Sequence, residues 1–381
     1  MDIFGNDKLR TKVSTMHHFN NTTMAFPVWS DELDPLSISV AATNIFAGCF
    51  SLIGNTLVIA VMLKRFRTAS TFKKLLAHLA FCDIIYAISI LLDTPNWLKK
   101  HWVYTPMFCK VLPTTQFASS LAAEGTVVVI AIERYRGITQ PLKVHWNNRD
   151  FSFSLIIAWL FAFVSASPYF NVLNTVTIPY MGNHTFCIET WSTGDHIDQE
   201  NSAFIYSTYT FVGTFMLPMV ILAVLYGRII YIIRKPIDPI PCFEQLFIKR
   251  REKDIRITKL LILVIVAFAI CVLPNQIGHF IMSKATLSKS EKEILAYVLL
   301  IPYPFQCVLN PLIYSIVDKK FRKDAKLILS CQGDKERKIS RTMTSYFMVE
   351  STCHKKTSHS GETSICSMPL RTSREESESL F

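Results

Sequence analysis

Three sets of residues in this chain have the types and spacing to do chemistry. The first is Glu133-Arg134-Tyr135, which closes the apolar run 125–132 and is followed by Pro141-Leu142. An arginine there is costly in hydrocarbon, so it must face water or a protein interior and carry a function. The second is a set of polar groups inside long apolar stretches: Asp83, Glu124, and Asn310 within Asn310-Pro311-Leu312-Ile313-Tyr314. A carboxyl at such depth is expensive unless protonated, paired or hydrated. The third is a pair of cysteines, Cys109 and Cys187, at the edges of apolar runs. No nucleophile–base arrangement, phosphate loop or metal-ligand cluster accompanies them, which argues against an enzyme. No cysteine spacing points to zinc, and no cofactor is expected. The chemistry on offer is charge pairing in a helix bundle built to switch.

These groups need helices to hold them. Half of the 381 residues are hydrophobic, and they gather in blocks long enough to cross a bilayer as helix. Seven blocks are read: roughly 37–63, 73–95, 106–137, 151–172, 203–233, 256–283 and 293–317. The fold class is therefore an all-α membrane protein, a seven-transmembrane helix bundle spanning 37–317. No internal repeat supports the inverted halves common in transporters, although Asp83 and Glu124 would suit an ion path.

Charge sets the orientation. Lys64, Arg65, Arg67, Lys73 and Lys74 follow the first block, Lys143 and Arg149 the third, and Arg234, Lys235, Lys249, Arg250, Arg251 and Lys253 the fifth. With Lys319, Lys320, Arg322, Lys323 and Lys326 after the seventh, these mark the cytoplasmic side. The N-terminal segment 1–36 is then outside, where sequons at Asn20 and Asn21 await glycosylation; Asn183 supplies another in the outer loop after the fourth block. The formal charge of +11 is accounted for by this topology, so no nucleic-acid partner is expected. No signal-peptide pattern is visible in residues 1–35, so the first span is expected to direct its own insertion. Cys109 and Cys187 both face the oxidising side, which favours a disulfide between them. Cys82, Cys271 and Cys307 read as small buried residues, whereas Cys331, past a basic amphipathic stretch, is a candidate for palmitoylation. Residues 330–381 are rich in Ser, Thr, Lys and Glu and read as a disordered cytoplasmic tail.

In order and spacing, these features resemble the rhodopsin-like (class A) G-protein-coupled receptors over about 37–330. The matching residues are Asn55, Asp83, Trp102 before Cys109, Glu133-Arg134-Tyr135, Trp159, Pro168, Pro218, Tyr226, Phe268, Cys271, Pro274 and the Asn310–Tyr314 motif. Residues 318–329, with Phe321 on the apolar face, look like the family's short amphipathic eighth helix lying on the membrane lipid. The resemblance implies a latch in which Arg134 pairs with Glu133 and with Asp254, flanked by Tyr135, Tyr226 and Tyr314. Breaking it would let the sixth helix swing outward and admit a heterotrimeric G protein. It also implies that Asn55 and Asn310 partner Asp83, where relatives often bind sodium. Ala123, Gln306 and Cys307 replace common sodium ligands, so the metal is not expected here.

Two departures concern the switch. Where the family has Cys-Trp-x-Pro, this chain has Cys271-Val272-Leu273-Pro274. The apolar trio beneath the ligand becomes Pro218, Glu124 and Phe268, with a carboxyl where packing is usually apolar.

For the ligand, Gln116 stands where aminergic relatives carry an aspartate, which argues against monoamines. The loop 171–202 contains Glu189, Asp195, Asp198 and Glu200 without Lys or Arg, so its field would steer a basic peptide inward. Residues 175–180 and 185–191 read as hairpin strands around Gly182-Asn183. Tyr206, Gln276 and His279 would add pocket polarity. A lipid ligand is the alternative. The basic stretch 245–259 reads as an extension of the sixth helix, separated from the fifth by Pro236, Pro239 and Pro241. Tail residues such as Thr342, Thr344, Ser345, Ser373, Ser377 and Ser379 are candidate sites for receptor kinases and arrestin recruitment. Ser379-Leu380-Phe381 fits a short PDZ-ligand pattern.

Overall fold

The computed structural model describes residues 34–63, 70–140, 147–178, 184–191, 196–235, 244–282 and 289–330. Pro141-Leu142, the sequons at Asn20, Asn21 and Asn183, the hairpin turn, the prolines at 236, 239 and 241, and Cys331 with the tail lie outside these residues.

The elements run α1 (Pro35–Leu63), α2 (Thr71–Lys99), α3 (Pro106–Thr139), α4 (Asn148–Val172), β1 (Leu173–Ile178), β2 (His184–Glu189) and α5 (His196–Tyr209). After a π-helical turn, Thr210–Met216, come α6 (Leu217–Arg234), α7 (Glu244–Met282), α8 (Lys289–Leu300), the 3-10 turn Tyr303–Phe305, α9 (Gln306–Val317) and α10 (Lys319–Leu329). Among the described residues, seven helical stretches are long and apolar enough to cross a membrane. The first four spans are α1 to α4, the fifth is α5 with α6, the sixth is α7, and the seventh is α8 with α9. At 1.5 Å per residue, even the 25 residues of α4 exceed the roughly 30 Å of a bilayer's hydrocarbon. The third span is central: it packs on the second, fourth and fifth, and residues 118–124 along it are all buried. Ile53, Phe153, Val164 and Ile270 point outward from their spans as part of an apolar belt suited to lipid.

Local chemistry explains the ends. Asn147 caps α4 by accepting from the Asp150 backbone N–H at 2.9 Å, and the Asp150 carboxylate accepts from Asn147 in return. Lys100 ends α2 in the left-handed region at φ 57°, and its ammonium pairs with Asp34 at 2.9 Å, tying the start of α1 to the end of α2. Burial raises the Asp34 carboxyl, but hydrogen bonds from Lys100 and Ser37 outweigh it and hold it below the ordinary carboxylate value. Asp318 caps α10, whose Phe321 and Ala325, one turn apart, are buried, with Phe321 against Tyr314. This is the amphipathic eighth helix.

Proline shapes the fifth and seventh spans more than hydropathy reveals. The π turn ends just before Pro218, whose ring excludes a normal bond to the carbonyl four residues back. Thr214 and Thr210 donate their hydroxyls to the carbonyls of Thr210 and Ser207, at 2.7 and 2.9 Å. In the seventh span, Pro302 and Pro304 break the helix into α8 and α9. Pro311 then leaves the Cys307 carbonyl without its helical donor. Asn55 and Ser51 of the first span donate to that carbonyl at 2.9 and 3.1 Å. Gly54 makes this approach feasible, since a Cβ there would fall 2.7 Å from the Pro311 ring.

The hairpin is antiparallel, pairing Thr175 with Cys187 and Ile178 with His184. Its first strand starts at Leu173, two residues before the expected position, because buried Leu173 seats against Trp102, Cys109 and Leu112. Its second ends at Glu189, where Thr190 turns to donate its backbone N–H to the Val172 carbonyl at 2.8 Å.

Gly54→Ala should lower the thermal midpoint of the purified protein by an amount matching about 1–3 kcal/mol of overpacking, because the Pro311 ring is rigid. Gly227→Ala, with nothing within 4 Å of the added Cβ, should leave it unchanged or raise it. Asn55→Leu should cost about 0.5–1.5 kcal/mol by removing one of the two side-chain donors to the buried Cys307 carbonyl, leaving it to Ser51 alone. Thermal unfolding monitored in the same detergent measures all three.

Candidate functional site: a hairpin-capped pocket, a polar core and an arginine latch

At the hairpin end, Cys109 and Cys187 form the expected disulfide and fix β2 to the start of α3. Trp102 reinforces this by donating its backbone N–H to the Thr185 carbonyl at 2.7 Å. The hairpin thereby places Glu189 beside an aromatic group from the fourth and fifth spans. Trp191 donates its indole N–H to the Glu189 carboxylate at 2.8 Å, and its ring lies 4.8 Å from Tyr206. Tyr206 stands 5.5 Å from Tyr169 and donates its hydroxyl to the Ser165 carbonyl at 2.8 Å. His279 of the sixth span is close enough to feel the Glu189 charge. Of the five anticipated pocket residues, Glu189 and Tyr206 are joined through Trp191, and His279 lies within electrostatic range of Glu189. Gln116 does not join them: it lies beside Tyr86, whose ring packs edge-on against Tyr303 at 6.0 Å. Gln276 is buried on the sixth span. Tyr169, Trp191 and Tyr303 were not singled out from the sequence, where aromatic residues in apolar runs look like ordinary packing.

Midway along the bundle, Asn310 donates to the Asp83 carboxylate at 2.7 Å, as expected. Asn55 does not reach Asp83. Its amide goes to Ser51 at 2.9 Å and to the Cys307 carbonyl, because Pro311 has created a stronger demand there. Ser51 in turn lies 3.4 Å from the Asp83 backbone carbonyl. The side chains meet the requirements of sodium poorly. Ala123 has no oxygen, the Cys307 thiol donates to the Pro304 carbonyl at 3.1 Å, and the Gln306 carbonyl accepts from Ser120 at 3.0 Å. Glu124 is buried, as are Val272 and the neighbouring Cys271. Pro274 lies inside the sixth helix and Pro218 at the start of α6. Glu124 and Phe268 line one cavity. A further cross-link escaped sequence reading: Trp159 donates to His78 at 2.9 Å, and the other His78 nitrogen meets Thr126 at 3.0 Å, joining the second, third and fourth spans.

At the opposite end, Arg134 grips Glu133 through two hydrogen bonds, one of them 2.7 Å, with its guanidinium 4.2 Å from the centre of the Phe72 ring. Tyr226 lies within reach of both charges, and the buried Tyr314 lies near Tyr226. Tyr135 packs against the core at its edge. Asp254 feels the Arg134 charge but forms no ion pair with it among the described residues. Arg250, one helical turn away, instead donates to the Gly137 carbonyl at 3.4 Å. Among the described residues the direct Arg134–Asp254 salt bridge expected is not formed, and the Arg250 bond and apolar packing join the third and sixth spans at this end.

The chain is similar to known proteins. A family model described as 7 transmembrane receptor (rhodopsin family) matches residues 54–314. The chain is 26% identical over 315 residues to galanin receptor 2b of Danio rerio, covering 79% of this chain and 78% of that one. It is 26% identical over 307 residues to the pyroglutamylated RF-amide peptide receptor of Rattus norvegicus, covering 76% and 69%. A QRFP-like peptide receptor of Branchiostoma floridae is 28% identical over 294 residues, covering 74% and 75%. The chain belongs to the rhodopsin family of seven-transmembrane receptors, class A of the G-protein-coupled receptors, with relatives in its neuropeptide-receptor branch.

Proposed function

We propose that this protein is a plasma-membrane receptor that binds an extracellular basic peptide and activates a heterotrimeric G protein. The observation that carries the ligand class is Glu189. Among the described residues its carboxylate is ion-paired with no lysine or arginine. It is bordered instead by Trp191, Tyr169, Tyr206 and His279. A carboxylate surrounded by aromatic faces is an incomplete electrostatic arrangement, which an incoming guanidinium or ammonium completes by charge pairing and cation–π contact. The names of the relatives, receptors for galanin and for RF-amide peptides, support a peptide in this role. Gln116, deeper and neutral, is suited to a backbone or terminal amide of the same ligand.

In this reading residues 1–36 are extracellular, the bundle occupies 37–317, helix 318–329 lies on the inner leaflet, and 330–381 forms the cytoplasmic tail. Arg134, Glu133, Tyr226, Tyr314 and Asp254 face the G protein when the sixth span moves outward. Glycans on Asn20, Asn21 and Asn183, a palmitoyl group on Cys331, and tail phosphorylation by receptor kinases with arrestin recruitment complete the proposal.

Cells expressing the full chain should respond to a member of a basic, amidated peptide panel read by calcium and cyclic-nucleotide assays. Glu189→Gln should weaken the potency of that peptide about 10- to 100-fold, the loss of one charge-assisted contact. Responses to lipid extracts alone, or an unchanged potency in Glu189→Gln, would overturn the peptide reading.

A further inference from the structure

A cavity of about 20 Å³ lies inside the bundle between the second, third, fifth, sixth and seventh spans. It has room for about one water. Two carboxyls border it, Asp83 and Glu124, and no lysine, arginine or histidine does. Four bordering side chains, all buried, present an atom with no hydrogen-bond partner: the Tyr86 hydroxyl, Glu124 Oε1, Gln306 Nε2 and Asn310 Oδ1. Asp83 is different, because Asn310 donates to it.

Two physical constraints define what fits. An ionised Glu124 with an unfilled oxygen and no cation beside it is far costlier in this interior than the neutral acid. The unfilled atoms are the Glu124 and Asn310 oxygens, the Tyr86 hydroxyl and the Gln306 N–H donor. Water meets both kinds at once, accepting from Gln306 and donating to oxygen, whereas a metal ion would be repelled by the N–H. We propose that Glu124 is a proton-binding site, its carboxyl held neutral and hydrogen-bonded through a buried water to Gln306 and Asn310.

The other titratable groups facing Glu124 are Asp83 and Tyr86 from the second span and Tyr303 from the seventh. The fifth and sixth spans present only Met219, Leu222, Val264, Ile265 and Phe268. None of these neighbours supplies a positive charge to hold the ionised form. The sixth span forms one wall, so its outward movement opens the cavity to solvent. The acid then ionises and passes its proton to bulk water. That last step rests on the receptor reading above, whereas the proton site itself does not.

Infrared spectroscopy of the purified full chain in lipid nanodiscs, without ligand or G protein, therefore tests the site independently of signalling. The wild type should show the carbonyl stretch of a hydrogen-bonded, protonated carboxylic acid. Carbon-13 labelling of glutamate should displace that band, which identifies it as glutamate even if variants fold poorly. Glu124→Gln should abolish it, Asp83→Asn should leave it, and Gln306→Leu should shift it toward the frequency of a free acid. A band that glutamate labelling does not displace, or that survives in Glu124→Gln, would overturn the proton site. An unmoved band in Gln306→Leu would overturn the water bridge.

Discussion

The bundle depends on how it satisfies one carbonyl. Pro311 has no N–H, so the Cys307 carbonyl loses its partner within the seventh span, at a depth where water is scarce. Asn55 and Ser51 supply the donors from the first span, and Gly54 lets the two backbones come close enough. Ser51 also touches the backbone of Asp83, while Asp83 takes the Asn310 amide one helical turn beyond Cys307. A single proline thus recruits the first, second and seventh spans into one polar seam. Leaving any buried donor or acceptor empty costs more than a typical hydrogen bond contributes, so this seam fixes the register of three helices.

Much of this was legible in the sequence because the bilayer forbids most alternatives. Runs of apolar residues had to be helices, and loop charge had to set their direction. The pairing of Cys109 with Cys187 followed once both lay on one side. The interruptions were harder to see. Pro218 announces a disturbance in the fifth span, but not that it takes the form of a π turn over Thr210–Met216. The choice of Asn55 between Asp83 and the Cys307 carbonyl was also hidden, since it turns on three-dimensional competition for a few donors. The Arg134–Asp254 pair failed for a similar reason. The two residues share a neighbourhood, yet Glu133 and the Phe72 ring already satisfy the guanidinium.

The departures from the family pattern fall between the two ends of the molecule. Near the hairpin, Glu189 and its aromatic neighbours are the proposed place for a positive group. At the other end, Arg134 is held on its own helix through Glu133, and the Arg250 contact and packing are among the restraints on the sixth span. Between them stand Val272, in place of a large indole, and Glu124, in place of an aliphatic side chain. Position 272 of this chain therefore carries no indole. A cavity bordered by Glu124, Phe268 and Gln306 occupies the corresponding middle layer. In the proposed reading, the link between ligand and latch runs through polar groups whose satisfaction depends on where the sixth span lies.

The movement of that span is the central claim, and a distance measurement tests it most directly. Spin labels at Gly137→Cys and Lys249→Cys, in a background cleared of reactive cysteines, would sit at exposed positions on the third and sixth spans near Arg134. Pulsed electron resonance on the reconstituted receptor should show this distance lengthening when an activating peptide and G protein are added together. An unchanged distance in a receptor shown to have bound both would contradict the account.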